Sequence, residues 1–494
     1  MPLEWRRLVW LLSLISYTLT AGLGILYLYQ GQNVILLTAL LALFISNGLW
    51  AVQRLKYRLI HLLFQTMIFI FLVSRPLIDY LRHRVFDSYQ LDVYPFAFTV
   101  VGISLIGLAF GGMLGERLFV PYQQKQSKKL VAPPLLNTMQ LRVRQTMQWV
   151  ALGGWALTYP FYLLRLIERW QYRRQTTYYD YYATFHSQLP YFTYILSAFM
   201  FYFLCLYLAT KPRKLHATFV LIAYIMANAI HLLIGTRNPV MLAILFSFMY
   251  YFMREQEEKG KWIGLKERIA MVIATPLLVL FMGMMNYLRD NVAVKTFDVW
   301  ELFVDFLYKQ GTSFKVLASG YLYQWALPNL PFRSYLVGTF GEYFYRGNIG
   351  QLLFGTQPIQ NTTNSLELAL ETNSYAHNLS YIVLKQEYLE GHGIGSSYMM
   401  EAYADFGMWG VFLVSLCLGV LFIWMMQTAY TQKLLAFTIQ LLILSNLFFM
   451  PRSSFAESFY PLITAQFWFI IILTFAVTYM TVKPIRQNNQ KEEK

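Results

Sequence analysis

Apolar runs about as long as a bilayer is thick recur along nearly the whole sequence, separated by short polar gaps. A helix needs roughly 20 apolar residues to cross the hydrocarbon, where every backbone polar group must be satisfied within the segment itself. Such runs fall at 8–29, 33–52, 60–80, 93–115, 147–165, 190–210, 216–234, 239–253, 269–287, 406–427, 434–450 and 462–482. The pattern therefore predicts an all-α polytopic membrane protein of about twelve transmembrane helices. The largest interruption, 288–405, separates the ninth from the tenth. Part of that interruption is itself helical by period, with Trp300, Phe303, Val304 and Leu307 on one stripe and Asp298, Glu301 and Asp305 off it. Such a helix can lie on a leaflet as a lid.

Charge adds an orientation. Lysines and arginines crowd every second gap, and cytoplasmic gaps are the ones that collect them. Placing the N-terminus inside puts 24 of the 40 basic residues with eight of the 25 acids on the inner side. The net charge is then +16 inside and −1 outside. Both termini are expected to be cytoplasmic, in the cell membrane, and 288–405 becomes a large extracytoplasmic loop. The organisation expected is an N-terminal four-helix block (1–115), a cytoplasmic linker (116–146) with Pro133 and Pro134, central helices (147–287), the loop (288–405), three last helices (406–482) and a cytoplasmic tail (483–494). The first apolar run lacks a small-residue cleavage site and reads as a signal-anchor that stays.

Composition narrows the function classes. Mean hydropathy is +0.41 and charged residues make up 13 %, well below the quarter usual in soluble domains. The pI near 9.5 thus reports orientation and contact with anionic lipid rather than nucleic acid, for which no base-reading motif is present. Cys205 and Cys417 both fall within spans, which argues against a disulfide framework or a cysteine-ligated metal. Walker A, Asp-x-Asp, His-Glu-x-x-His and Gly-x-Ser-x-Gly signatures are lacking, and so is a buried chain of acids for proton coupling.

Candidate chemistry gathers in the outer gaps. In Gly235-Thr236-Arg237-Asn238-Pro239, Asn238 suits the N-cap and Pro239 the first turn of the next helix. The free N–H groups of that helix beside Arg237 make a phosphate site, which His231 and Asn228 extend. An arginine snorkelling to the headgroups is an equal reading. Arg289, in Asn286-Tyr287-Leu288-Arg289-Asp290-Asn291, and Arg452, in Pro451-Arg452-Ser453-Ser454 with Glu457, are the other outer arginines at helix ends. Each is ordinary alone, as an exposed helix terminus or an interfacial anchor. Arg165, Arg169, Arg173 and Arg174 run against the positive-inside bias and precede the tyrosine-dense stretch 178–182. His377 has the best polar company of the outer histidines, although loop histidines are more often solvated, and its ordinary pKa of about 6.5 suits proton removal from a hydroxyl. Downstream, Gly393 and Gly395 permit close backbone approach, and Ser396 or Ser397 is placed to cap a helix carrying Glu401.

With those segments assembled, the chain resembles the Wzy-type O-antigen or repeat-unit polysaccharide polymerases. The resemblance is carried by Gly235-Thr236-Arg237-Asn238-Pro239, by Gln310-Gly311-Thr312-Ser313, by the stretch GIGSSYMMEAYADFGMWG from Gly393 to Gly410, and by the layout of spans and loop. It implies a GT-C-like, metal-independent membrane glycosyltransferase without a cofactor. Such an enzyme moves a growing glycan from undecaprenyl diphosphate to a lipid-linked repeat unit on the outer face, in an O-antigen, capsule or exopolysaccharide pathway. By position, Arg237, Arg452 and Arg289 are carried over as ligands of the diphosphate, and His377, then Glu401, as the base. A chain-length regulator and a flippase of the same pathway are the implied partners. A flippase or exporter of lipid-linked oligosaccharide, and an O-antigen-ligase-like transferase, are the alternatives. The flippase is expected to show related halves and a charged path.

Overall fold

The computed structural model describes residues 3–86, 88–129, 138–258, 260–274, 276, 298–330, 333–359, 363–431 and 433–482. The described residues are helical or irregular, with no strand among them. Among the described residues, eight helices are long and apolar enough to cross a membrane. A ninth is reached if Phe455–Ile463 and Ala465–Thr481, bent by 45°, count as one span. The twelve-span reading adds three segments. Of these, α10 (Asn238–Glu257) carries Arg254, Glu255 and Glu257 in its last turn, and α20 (Leu434–Leu447) has 14 residues. The third, 269–287, lies mostly outside the described residues; only the end of α11 (265–274) reaches into it.

Several helices outrun the apolar runs that signal them. α5 (Val93–Lys129) and α6 (Thr138–Gln175) extend well past 93–115 and 147–165. Hydropathy fixes how much of a helix is apolar, whereas its length is fixed by where a stop occurs. On α6 the arginines 165–174 are good helix formers, and the chain turns only where Thr177 and Asp180 form the capping box of α7 (Tyr178–Thr184).

The gaps sort into two ends. At one, Arg58 forms a forked pair with Glu116, Lys211 Nζ reaches Glu257 Oε1 and the Thr431 carbonyl, and Tyr430 donates to the Lys56 carbonyl. At the other, Tyr89 meets Phe314, the Tyr179 ring stacks on His392 with centroids 3.7 Å apart, and Gly395 approaches the Arg452 carbonyl. These groups are the alternate gaps that the charge pattern assigns to opposite sides. Along the flank, α1 (Leu3–Gln30) exposes Trp10, Ile15, Leu19 and Ile25, as a face toward lipid would.

The centre of the bundle is the contact of α5 with α19 (Tyr398–Thr428). Gly107, Gly111 and Gly115 recur at i, i+4 on α5 and meet the Phe412 and Leu416 carbonyls, Gly419 and Ile423. Small residues at this spacing let two helix backbones approach closely in a membrane. Ser104 and Tyr398 hydroxyls, 2.7 Å apart, and a 3.0 Å bond from Ser415 to Ser104 close the contact near the head of α19. Gly407, at φ 63° and ψ −154°, breaks α19 one turn after Tyr403, a conformation that suits glycine alone.

The 288–405 segment is mostly helical where described. Asp298 caps α12 (Val299–Gln310) by accepting from the Trp300 N–H at 2.9 Å. The buried stripe of α12 is Leu302 and Phe306, however, while Trp300 is 67 % exposed. Packing decided this: Phe306 meets Val240 of α10, and the Leu307 carbonyl accepts from Ser74 of α4 (Ser74–His83).

A side chain at Gly111 would place its Cβ 2.0 Å from the Leu416 carbonyl oxygen. Gly111→Leu should therefore cost about 1–3 kcal/mol by overpacking. Gly153→Leu, where a Cβ meets nothing within 4 Å, should be near neutral. Thermal unfolding of the two variants in detergent checks the contrast.

Candidate functional site

Glu401 is 1 % exposed and sits in the first turn of α19. Its Oε1 accepts from Ser396 Oγ at 2.6 Å, and its Oε2 accepts from Ser454 Oγ at 3.2 Å and from the Phe455 N–H at 2.9 Å. One carboxylate thus ties the glycine-rich turn before α19 to the turn that carries Arg452. Ser397, not Ser396, holds the N-cap position of α19, yet neither hydroxyl caps it, because Ser396 has turned to Glu401. One turn on, Asp405 accepts from Ser334 Oγ and from the backbone N–H groups of Tyr335 and Leu336 at 2.7–3.0 Å. Both acids therefore spend their lone pairs on arranging loops.

The turn so held opens into a cavity of about 560 Å³. Ser454, Glu457 and Tyr460 line it from one side, and Thr372, Ser374 and His377 from the loop segment. Hydroxyls, an imidazole and the carboxyl of Glu457 face one space, which suits a sugar. His377 lies in α17 (Tyr375–Leu384), capped by Ser374. Its Nδ1 is 2.9 Å from the Tyr388 hydroxyl, which itself donates to the Ser365 carbonyl at 3.3 Å. A phenol has one proton to give, so Nδ1 carries the hydrogen and Nε2 keeps its lone pair. Burial holds the His377 pKa below 6.5, and the ring is neutral at pH 7. Tyr388 carries no signal in the sequence, because its role depends on a bond across eleven residues and a separate helix.

Arg452 ends a 3₁₀ turn, Met450–Arg452. Its Nη1 donates to Gln310 Oε1 at 3.0 Å, and its guanidinium lies 5.6 Å from the rings of Phe71 and Phe449. It does not line the 560 Å³ cavity; Ser454, two residues on, does.

Arg237 sits in a second group at the same end. α9 (Lys214–Ile234) stops at Gly235, whose φ of 97° admits the turn and whose α-carbon lies against the Tyr178 ring. Arg237 itself is the N-cap residue of α10, and Asn238 and Pro239 are already helical. The expected Asn238 cap is thus displaced by one residue: proline fits the first turn, and here the helix starts one position earlier. Thr236 bonds His231, and Arg169 of α6, with a buried Nε that has no hydrogen-bond partner, lies near enough to act on the His231 ring. The two arginine groups are linked through α7, whose Tyr178 meets Gly235 and whose Tyr179 meets His392. Arg289 lies outside the described residues. Among the described residues, no group of three or more His, Cys, Asp and Glu side chains is placed to hold a metal ion.

A family model described as O-antigen polysaccharide polymerase Wzy matches residues 12–484. No curated protein and no solved structure matches the chain.

Glu401→Ala leaves three donors without an acceptor, that of Ser396 fully buried, and a buried unmet group costs about 1–3 kcal/mol. The variant should unfold at a clearly lower temperature, and trypsin should cut the 451–455 turn faster than in the parent. Tryptophan fluorescence on heating, with timed proteolysis, checks both.

Proposed function

The chain belongs to the O-antigen polysaccharide polymerase Wzy family, and from that premise we propose that it joins lipid-linked repeat units into polymer on the outer face of the cytoplasmic membrane. In this reading the protein has twelve GT-C-like spans with both termini cytoplasmic, and needs no metal. The donor is a growing glycan on undecaprenyl diphosphate, and the acceptor is the terminal sugar hydroxyl of a new lipid-linked unit. The observation that carries the reading is the polar 560 Å³ cavity, which brings a neutral histidine and the turn after Arg452 to one place.

The chemistry follows from that placement. The acceptor hydroxyl gives its proton to Nε2 of His377 as its oxygen attacks the anomeric carbon. The bond from that carbon to the diphosphate oxygen breaks, and its electron pair leaves with undecaprenyl diphosphate. Arg452 and Arg237, with the first N–H groups of α10, offset the negative charge of the leaving group, and Arg289 is assigned the same role. His377 is preferred to Glu401 as the base because Glu401 is buried and already accepts three hydrogen bonds. A flippase is the less favoured reading because the sequence carries neither related halves nor a charged path through the spans.

Pure protein supplied only with lipid-linked repeat unit tests the reading. Chain growth is expected. Movement across the bilayer without bond formation would mark a flippase, and inertness until a second acceptor is added would mark a ligase. Arg237→Ala and Arg452→Ala should fold and insert normally yet lose about 100-fold or more in rate; wild-type rates would remove them from the diphosphate.

The pH profile has a sign that follows from His377. The base must be neutral, and burial sets its pKa below 6.5. The rate should hold as pH falls to 6.5 and drop only below it, while His377→Gln removes that acid limb together with most of the activity. Single-turnover rates between pH 5 and 8 decide this.

A further inference from the structure

The end of the bundle that holds Arg452 also holds a feature that the polymerase reading does not use. Between α3 (Leu55–Ile68) and α4 the helix passes through one π-helical turn, Phe69–Val73, immediately before Ser74 and Arg75. Such turns often mark functional sites. Beside it, α4 and α12 enclose a groove of about 480 Å³. Its walls are mainly apolar, Leu77, Leu81, Trp300 and Val304 among them, and Leu81 and Trp300 are exposed on the flank of the molecule. Ser74 and Arg82 are its polar residues on the α4 side.

Arg75 directly follows Ser74 of the groove wall. Its guanidinium lies 4.7 Å over the Tyr308 ring, its Nη1 is 3.5 Å from Thr312 Oγ1, and its Nε is buried without a hydrogen-bond partner. Arg82 lies over the same ring at 5.7 Å. The backbone of Gly311 rests against Arg75, so closely that a side chain there would clash with it. Gln310, on the other side, accepts from Arg452. Two arginines from distant parts of the chain thus clasp one short segment, Arg452 at Gln310 and Arg75 at Gly311 and Thr312. Of the acids on these helices, Glu301 lines the groove at its α12 end, Asp79 accepts from Ser88 and also bonds the Tyr308 hydroxyl beside Arg75, and Asp305 pairs with Lys309.

We propose that the α4–α12 groove holds the isoprenoid tail of a lipid diphosphate, with Arg75 as a ligand of the diphosphate beside Arg452. This rests on the polymerase reading for the identity of the lipid. A single apolar slot that opens to the flank fits one chain rather than the two of a phospholipid. A diphosphate carries enough negative charge for both guanidiniums. Thr312 supplies a hydroxyl between them. The tail enters sideways from the bilayer, and the headgroup stops where the clasp begins, next to the turn that leads into the sugar cavity.

The test measures binding without chemistry. The full chain in phosphatidylcholine nanodiscs is titrated with sugar-free undecaprenyl diphosphate and, separately, with phosphatidylglycerol, and bound lipid is read by native mass spectrometry. Arg75→Gln and Val304→Trp should each weaken the diphosphate lipid at least tenfold and leave phosphatidylglycerol unchanged. Arg82→Gln, at an exposed rim position, should weaken it less. Melting temperatures verify that each variant is folded; if Arg75→Gln is not, Val304→Trp and Arg82→Gln decide. Wild-type affinity in a folded Arg75→Gln or Val304→Trp variant overturns the proposal, and so does an equal loss of phosphatidylglycerol. If the wild type binds the diphosphate as described but forms no glycosidic bond in the reconstitution above, the polymerase reading fails and the groove stands. If it polymerises while folded variants bind normally, only the groove falls.

Discussion

Three glycines on one face of α5 allow its backbone to lie directly on that of α19, and most of the outer architecture hangs from that approach. A membrane offers no hydrophobic drive between apolar helices, so the contact depends on shape, on close backbone approach and on a few buried hydroxyls. α19 is held at the depth where Tyr398 meets Ser104, and its first turn is thereby fixed. Glu401 and Asp405 lie on that fixed stretch, four residues apart; Glu401 gathers three donors from two turns, and Asp405 three from a third segment. The loop layer therefore takes its order from carboxylates mounted on a helix whose position the glycines set. In the absence of disulfides, this is how a segment of more than a hundred residues keeps a defined cavity.

Electrostatics divides the molecule as firmly as packing does. At the end richer in basic residues the charges are answered by acids: Arg58 by Glu116, Arg254 and Lys211 by Glu257, Lys214 by Glu267. Lys211 is buried enough that its pKa falls to about 8 despite that partner. At the opposite end, Arg75, Arg169 and Arg452 are set against aromatic rings, amides and hydroxyls. Guanidiniums in such company are suited to an anion that arrives from outside the chain, and a lipid diphosphate is such an anion.

The apolar period made the spans legible, because a helix in hydrocarbon has few other ways to satisfy its backbone. Several of the gaps that the alternation of charge groups together meet one another in the folded chain. Local capping was read less well. Asn238 and Ser396 are good caps in isolation, but a proline-initiated turn shifted the first, and Glu401 claimed the second. Glu401 itself stood out as an acid just past a glycine–serine turn, second to His377 as the base, and the sequence gives no means of distinguishing an acid that reacts from one that holds a loop. The partner of His377 lies eleven residues away on a separate helix, and those of Arg75 and Arg452 lie 237 and 142 residues away, farther than any local periodicity reaches.

The π turn at Phe69–Val73 has a geometric corollary. Each residue of an α-helix advances the azimuth by about 100°, so one residue more or less before Ser74 would rotate all of α4 by that angle. With the present spacing, Ser74 and Arg75 look toward Leu307 and Thr312. With a one-residue deletion Arg75 would stand where Ser74 now meets Leu307, and Pro76 would replace Arg75 beside Thr312. This stretch should accordingly tolerate exchanges of one apolar side chain for another far better than any change in its length.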